Sequence, residues 1–593
     1  MKKHIYLFLV LITIFFASCK EDKFLEESPI DFLSGNNAYS TTNDFDQAVN
    51  ELYYLTRYEF YCNQDRSAQD YFMGCDIFWN GSSGNSIPNL SANYGPASSI
   101  ASAHWDKLYL LIAQANTIIS RLPSSKVTSD AQILFQAKAK FFRGLAYRTL
   151  AYLYGGVPLQ LEEVTTPKTN YVRSTREETL NQALEDVKFA AENLSNIDKV
   201  KDGEVNSAAA YHLLAELYLA VDQYQNAVDA ATKVISSQCG TVALMTSRFG
   251  SRKAETPGDV FWDLYRKNNQ NRTSGNTEGL FVIQMELTGT TAGGTDLTSL
   301  WSSPGSYLFE RQMAPQTGLF RMYKGGTTYT PFTWPIGDYT GGRGIGSCVP
   351  THLYDKEVWG GYGSTDFKND IRNANHNFVR KFKINNTNAA TKASFIAAFG
   401  SDTIDIDKYN VYKAAGWTFL TGENLQDTFP GRYLMCYSTK CTGLFDYPSA
   451  LVANTTTYAL QSAAGGTYTD QYMFRLAETY LLRAEAYLKL GNTANAAADI
   501  NVIRNRAKAT PIVAADVNLD YILDERIREL GTEERRRLTL SRLGADVFYE
   551  RVTKYNPYYS RGEAFSKKYT LYAIPQSAID ANKDAELKQN PDY

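Results

Sequence analysis

Two stretches of this chain, far apart in sequence, carry the same pattern of small and large residues. Residues 208–235 read AAAYHLLAELYLAVDQYQNAVDAATKVI, and residues 475–507 read RLAETYLLRAEAYLKLGNTANAAADINVIRNRA. Laid together, Ala215, Glu216, Tyr218, Leu219, Asn226 and Ala227 fall on Ala484, Glu485, Tyr487, Leu488, Asn495 and Ala496. Each is a pair of helical periods broken by a short turn. Alanine lets two helices approach closely, and tyrosine fills the space where they splay. Such pairs cannot bury their apolar faces alone, so they must stack on neighbours of the same kind.

This is tetratricopeptide-like chemistry, and the break between the two pairs is too long for a plain repeat array. The stretch at about 241–469 holds runs such as TGTTAGGTD and GDYTGGRGIG, with short strand-like pieces LFVIQMEL and FVRKFKI. Other helices are expected from Asp44 (Phe45, Val49, Leu52 and Tyr53 on one face), over Ser102–Leu122, and over Asp130–Tyr154 with a stop at Gly155-Gly156. A further helix runs to about Leu194 behind a capping box of Ser174 and Glu177, and Asn206 or Ser207 opens the first pair. The expected fold is mainly α: a tetratricopeptide-like helical scaffold with a large loop-rich insertion carrying short strands. Its parts are helices over 43–240, the ligand-facing insertion over 241–469 and helices over 470–593.

The N-terminus reads as an export address. Lys2 and Lys3 precede the apolar run Ile5–Phe16 and the small residues Ala17 and Ser18, which makes 1–18 a signal peptide too short to span a bilayer. FASC resembles a lipobox, so Cys19 is the expected lipidation site and 19–42 the lipidated tether. Lys20, Glu21 and Asp22 resemble the signal that carries bacterial lipoproteins to the cell surface. The expected location is therefore the outer membrane, lipid-anchored and facing the exterior.

Several function classes find no support. A formal charge of −3 without a Lys/Arg stripe gives no nucleic-acid footprint. The five histidines, at 4, 104, 212, 352 and 376, form no HExxH, and neither a GxSxG elbow nor a P-loop occurs. No CxxC pair suggests a structural metal, so no cofactor and no metal is expected. A glycosidase's two carboxylates need not be neighbours in sequence, and plentiful Asp and Glu discriminate nothing. Cys62 with Cys75, or Cys436 with Cys441, could form disulfides, with buried free thiols equally compatible. Glu533 and Glu534 beside Arg535, Arg536 and Arg537 read as solvated helix charges pairing across a turn.

Binding is a better prospect. The 41 tyrosines outnumber the 30 phenylalanines and 7 tryptophans together. Sugars have apolar ring faces and polar rims, so a sugar site wants exposed aromatic rings beside Asn, Asp or Arg. Two loop segments offer that mix: one with Tyr71, Asp76, Trp79, Asn80 and Tyr94, another with Trp301, Tyr329, Trp334, Asp338, Tyr339 and Arg343. Trp79 leads this set, because Asn80-Gly81-Ser82-Ser83-Gly84 follows it. Trp105 shares a helix face with Leu108 and Tyr109 and belongs to the core.

Four blocks complete the picture: FFRGLAYRTLAYLYGGVPL (141–159), RLAETYLLRAEAYLKLGN (475–492), ILDERIREL (522–530) and LYAIPQSAIDANKDAELKQNPDY (571–593). In order and spacing the chain resembles the RagB/SusD family along its whole length. The resemblance implies a surface lipoprotein that caps a TonB-dependent, SusC-like transporter as a hinged lid. It also implies a nutrient ligand at that interface, an oligo- or polysaccharide or sometimes a peptide, with binding rather than catalysis as the activity. The chain departs from the family where Arg535–Leu540 replaces an Arg-Trp and Asp-Leu pattern, and where Asp592 replaces a terminal glycine. Alternatives are a protein-interaction scaffold of tetratricopeptide type, a peptide-binding lid and, less favoured, a secreted glycoside hydrolase.

Overall fold

The computed structural model describes residues 38–61, 70–81, 89–285, 307–422, 431–560 and 564–593. The signal peptide, Cys19 and most of the tether lie outside the described residues, as do Cys62 and Trp301. Among the described residues no helix is long and apolar enough to cross a membrane.

Six long helices lead the described residues: α1 (Thr42–Tyr61), α2 (Ser99–Arg121), α3 (Ser129–Tyr154), α4 (Arg176–Asn193), α5 (Ser207–Ala220) and α6 (Tyr224–Ile235). Their ends follow local chemistry. Ser98 Oγ accepts the Ala101 N–H at 3.2 Å, which starts α2 three residues before the expected Ser102. Gly155 stops α3 at φ +78°, a left-handed conformation that side chains with a Cβ resist. The cap of α4 is shifted by one residue from expectation. Thr175, not Ser174, accepts the N–H of Glu178 at 3.1 Å, and the Glu178 carboxylate takes the Thr175 N–H at 2.7 Å. Asn206 caps α5 through the Ala209 N–H at 3.0 Å.

Between these helices and the C-terminal ones, the described residues form six small sheets of two or three strands. Five strands and one helix matter below: β1 (Phe78–Asn80), β2 (Gly279–Ile283), β3 (Arg321–Lys324), β4 (Thr327–Tyr329), β5 (Cys348–Pro350) and α7 (Ala389–Phe399). The chain then re-enters the helical part through β6 (Gln471–Arg475), α8 (Leu476–Lys489), α9 (Thr493–Arg506), α10 (Leu519–Glu529), α11 (Arg536–Leu543) and α12 (Ala545–Tyr555). Strand β6 lies antiparallel to β2, with Gln471 opposite Ile283. Residues 279–283 and 471–475 therefore lie side by side.

The two alanine-rich pairs stack on each other. Leu219, Ala227 and Val228 of the first share a buried cluster with Leu482 and Ala486 of the second, and Tyr218, Tyr224 and Tyr487 close its edge. The aligned glutamates play matching parts, each holding a buried arginine: Glu216 meets Arg148 at 2.9 Å, and Glu485 meets Arg542 at 2.6 Å. Small residues at the crossing thus fix both the packing and the ion pairs behind it.

A buried ion network ties the middle region to the C-terminal helices. Arg475 bridges Glu278 at 2.5 Å and Glu529 at 2.6 Å, while Arg372 reaches Asp370 at 2.7 Å and Glu525 at 2.8 Å. Buried charges persist only when partners replace their lost water, so these pairs fix how the parts dock. The charges next to α10 belong to the same class, which corrects the solvated reading. Arg536 and Arg537 are buried, and Glu534 pairs Arg526 at 2.5 Å and Arg536 at 3.1 Å. Cys75, Cys239, Cys348, Cys436 and Cys441 are buried free thiols, so Cys436 and Cys441 are not joined.

Candidate functional site

The two aromatic loop segments converge because β1 pairs antiparallel with β5, with Trp79 opposite Val349 and Asn80 opposite Cys348. The pairing continues as the Gly81 N–H donates to Ser347 O at 2.9 Å. Gly81 needs its missing side chain here: a Cβ would lie 2.4 Å from Val349 Cγ2 and 2.7 Å from Gly346 O. Gly81 therefore lies directly beside Gly346 and Ser347.

That pairing also decides which predicted residues can meet a ligand. Trp79 is 1% exposed and stacks on Tyr558 with ring centroids 6.1 Å apart. Phe78 beside it is buried too, and only Asn80 of this strand is partly exposed. Tyr71 is buried as well, its hydroxyl donating to Glu59 at 2.5 Å. Asp76 is fully buried between Arg536 (2.7 Å) and Arg551 (2.9 Å), which outweigh the cost of burial and hold its carboxyl down at about 2. Tyr329 sits edge-on to Trp417 at 5.4 Å and to Phe395 of α7 at 5.9 Å, packing the β3–β4 hairpin. Tyr71, Asp76 and Trp79 are thus buried, against the expectation of exposure, while Tyr329 is half-buried.

Two predicted residues reach a small hollow of about 120 Å³. Asn80 and Tyr94 line it together with Asp70, Asn93, Tyr558 and Tyr559. Tyr94 stacks on Tyr572 at 5.4 Å, and the Arg537 guanidinium lies 4.7 Å from its ring. Beneath, His104 Nδ1 lies 2.6 Å from Glu59 and Nε2 3.3 Å from Asp70. Burial disfavours the imidazolium, but the two carboxylates prevail and push His104 up to about 9. The wall is thus rich in tyrosine above a protonated histidine. Tyr558 and Tyr559, both largely buried, escaped the sequence reading, although they stand as two adjacent tyrosines in the run NPYYSRG.

The other accessible group is on the 333–346 loop. Trp334 is half-buried, its Nε1–H donating to Gly344 O at 3.1 Å while the Arg343 guanidinium lies over the ring at 4.2 Å. A polar lattice fixes this loop. Asp338 accepts from Thr340 N at 2.8 Å and from Asn385 Nδ2 at 3.0 Å, and Asn385 Oδ1 accepts the Thr333 N–H at 3.0 Å. Burial pushes the Asp338 carboxyl up from its ordinary value. Behind Arg343, Glu310 accepts its N–H at 2.7 Å and the Tyr447 hydroxyl at 2.6 Å, and burial lifts this carboxyl to about 7. Tyr339, half-buried, lies 6.2 Å from Phe445. The result is a rigid indole flanked by amide, hydroxyl and guanidinium groups.

A larger hollow of about 440 Å³ lies on the helical part, lined mainly by apolar atoms of Trp105, Tyr109, Ile112, Pro158, Tyr171 and Leu587. Among the described residues, no group of three or more His, Cys, Asp or Glu side chains is placed to hold a metal ion.

Comparison with known proteins agrees with this architecture. A family model described as the SusD family matches residues 307–593, and one described as starch-binding associating with outer membrane matches residues 23–219. SusD-like protein P25 of Formosa agariphila is 24% identical over 279 residues, covering 44% of this chain and 50% of that protein. The starch-binding protein SusD of Bacteroides thetaiotaomicron is 37% identical over 125 residues, 21% of this chain and 22% of that one. The chain thus spans about half the length, or less, of these curated relatives. Among solved structures, a laminarin binding SusD-like protein superposes with a TM-score of 0.62 at 18% identity, over 94% of this chain and all (100%) of that one. Surface glycan-binding protein A from Bacteroides thetaiotaomicron in complex with laminarihexaose gives 0.62 at 18% identity, over 93% and 100%. Likeness at that identity is likeness of fold. The two family models, from residue 23 to 219 and from 307 to the end, place this chain in the SusD/RagB family, on a tetratricopeptide-like helical scaffold.

Proposed function

We propose that this chain captures a glycan at the cell surface and passes it to a TonB-dependent, SusC-like transporter, acting as a lid and not as a hydrolase. One observation carries the glycan reading: Trp334, held rigid under Arg343, is flanked by the Asp338–Asn385–Thr333 lattice and joined through β1–β5 to the hollow of Asn80 and Tyr94. An indole face suits the C–H face of a pyranose, and amides and guanidinium suit its hydroxyls. The names of solved relatives, which mention laminarin and laminarihexaose, point to the same ligand class. Lipidation at Cys19 would anchor the protein in the outer membrane, facing outward, with 19–42 as the tether. The ligand-facing insertion would then project between the helical parts 43–240 and 470–593.

Affinity electrophoresis of residues 20–593 against a polysaccharide panel including laminarin tests this. Retardation by one polysaccharide, lost in Trp334→Ala and without release of reducing ends, is expected. No retardation by any polysaccharide would defeat the glycan reading. A second reading, a peptide lid or scaffold, rests on the apolar 440 Å³ hollow beside Trp105, which suits a protein segment better than a sugar. Capture of the transporter without any glycan retention would favour it.

A further inference from the structure

Against Gly337 of the 333–346 loop lies a partly exposed aromatic ledge. Phe445 is 42% exposed, with Tyr458 edge-on at 5.0 Å and Tyr339 at 6.2 Å. An apolar ring left in water forgoes the gain of burial. Its backbone is also unfavourable. Leu444, Phe445 and Tyr458 have φ of +43°, +65° and +55°, left-handed values that residues with a Cβ adopt only under constraint.

The constraint is identifiable. The Gly337 carbonyl accepts the Phe445 N–H at 2.8 Å, and the Gly337 N–H donates to Tyr458 O at 2.9 Å. One residue thereby clasps both strained segments. Leu444 is wholly buried and Tyr447 is pinned to Glu310 at 2.6 Å, so the chain is anchored on each side of Phe445. Residues held in sparsely populated conformations by over-determined surroundings concentrate where a protein binds something. Here two of the three strained residues, Phe445 and Tyr458, carry the exposed and half-buried rings of the ledge, and the third, Leu444, anchors it from below.

The rim supplies unused polar groups. Neither the Asp446 carboxylate nor the Tyr458 hydroxyl makes a hydrogen bond among the described residues. The Arg252–Glu255 pair (2.6 Å) stands near Tyr339. A purely apolar partner would leave those groups unsatisfied on contact, whereas a pyranose presents a C–H face to the rings and hydroxyls to the rim. We propose that Tyr339, Phe445 and Tyr458 form a second sugar-contact platform, with Asp446 as its hydroxyl acceptor, so that a long glycan touches the protein at two places. This rests on the glycan reading above.

The test compares the wild-type chain (residues 20–593) with Phe445→Gly, Asp446→Asn and Trp334→Ala in gels containing each polysaccharide of the panel, beside thermal melts. Phe445→Gly removes the ring and relieves the left-handed strain together. It is expected to melt at or above the wild-type temperature yet be retained at least about threefold more weakly, with Asp446→Asn weakened in the same direction. A purely structural role for Phe445 would leave retention unchanged. Wild-type retention with both ledge variants equal to it would overturn the platform and leave the glycan reading intact. Absence of wild-type retention on every polysaccharide would overturn both.

Discussion

Asp76 and Arg536 meet in a two-pronged ion pair, with Nε to Oδ1 at 2.9 Å and Nη2 to Oδ2 at 2.7 Å, although they stand at opposite ends of the chain. Arg551 closes the group at 2.9 Å. The pair fastens the loop below β1 to α11 and α12. Asp76→Asn removes one charge and leaves two buried guanidinium groups short of a partner. Chemical denaturation should show a loss of about 3–5 kcal/mol. A loss below about 1 kcal/mol would show that the cluster is wet.

Trp79 and Trp334 should separate stability from binding. Trp79→Ala empties a packed position against Tyr558 and should cost about 3–5 kcal/mol, read as a lowered melting temperature. Trp334→Ala should melt within a few degrees of wild type and lose glycan retention. The reverse pattern would place the ligand at the first loop.

His104 makes stability fall on the alkaline side. Its folded value, about 9, lies above the ordinary 6.5 because Glu59 and Asp70 outweigh burial, so its contribution is complete below pH 6.5 and is lost as pH rises through 9. The loss is of the order of 3 kcal/mol. Urea midpoints across that window should fall for wild type and stay flatter for His104→Gln.

Glu310 acts over a lower window. Burial raises it from 4.5 to about 7, so the folded state binds more protons than the unfolded state between those values, and stability falls as pH rises through them. Glu310→Gln keeps a neutral acceptor for the Arg343 N–H and should remove that slope. An unchanged slope would locate the proton elsewhere.

The helical scaffold was legible because alanine and tyrosine at fixed spacing describe how two helices touch, wherever those helices lie in the chain. Glu216 and Glu485 aligned for that reason, and both hold arginines. The cap of α4 slipped by one because Ser174–Glu177 and Thr175–Glu178 satisfy the same spacing, and only the backbone decides between them. The aromatic rings were legible as a composition and not as a surface. Trp79 and Trp334 look alike locally, and one of them is buried against Tyr558, which is far away in sequence. Arg536 looked solvated because its partner, Asp76, is far away in sequence. Phe445 gave no warning, since neither a left-handed φ nor an exposed ring can be read from the neighbours Gly443 and Asp446.

The antiparallel contact of β2 with β6 has an evolutionary consequence. Because residues 279–283 and 471–475 lie side by side, a change in the length of the stretch between them need not move the backbone positions at which it leaves and rejoins the helices. What such a change must spare are Glu278 and Arg372, whose buried ion pairs with Arg475 and Glu525 hold the stretch to the helices below it, like the pins of a socket.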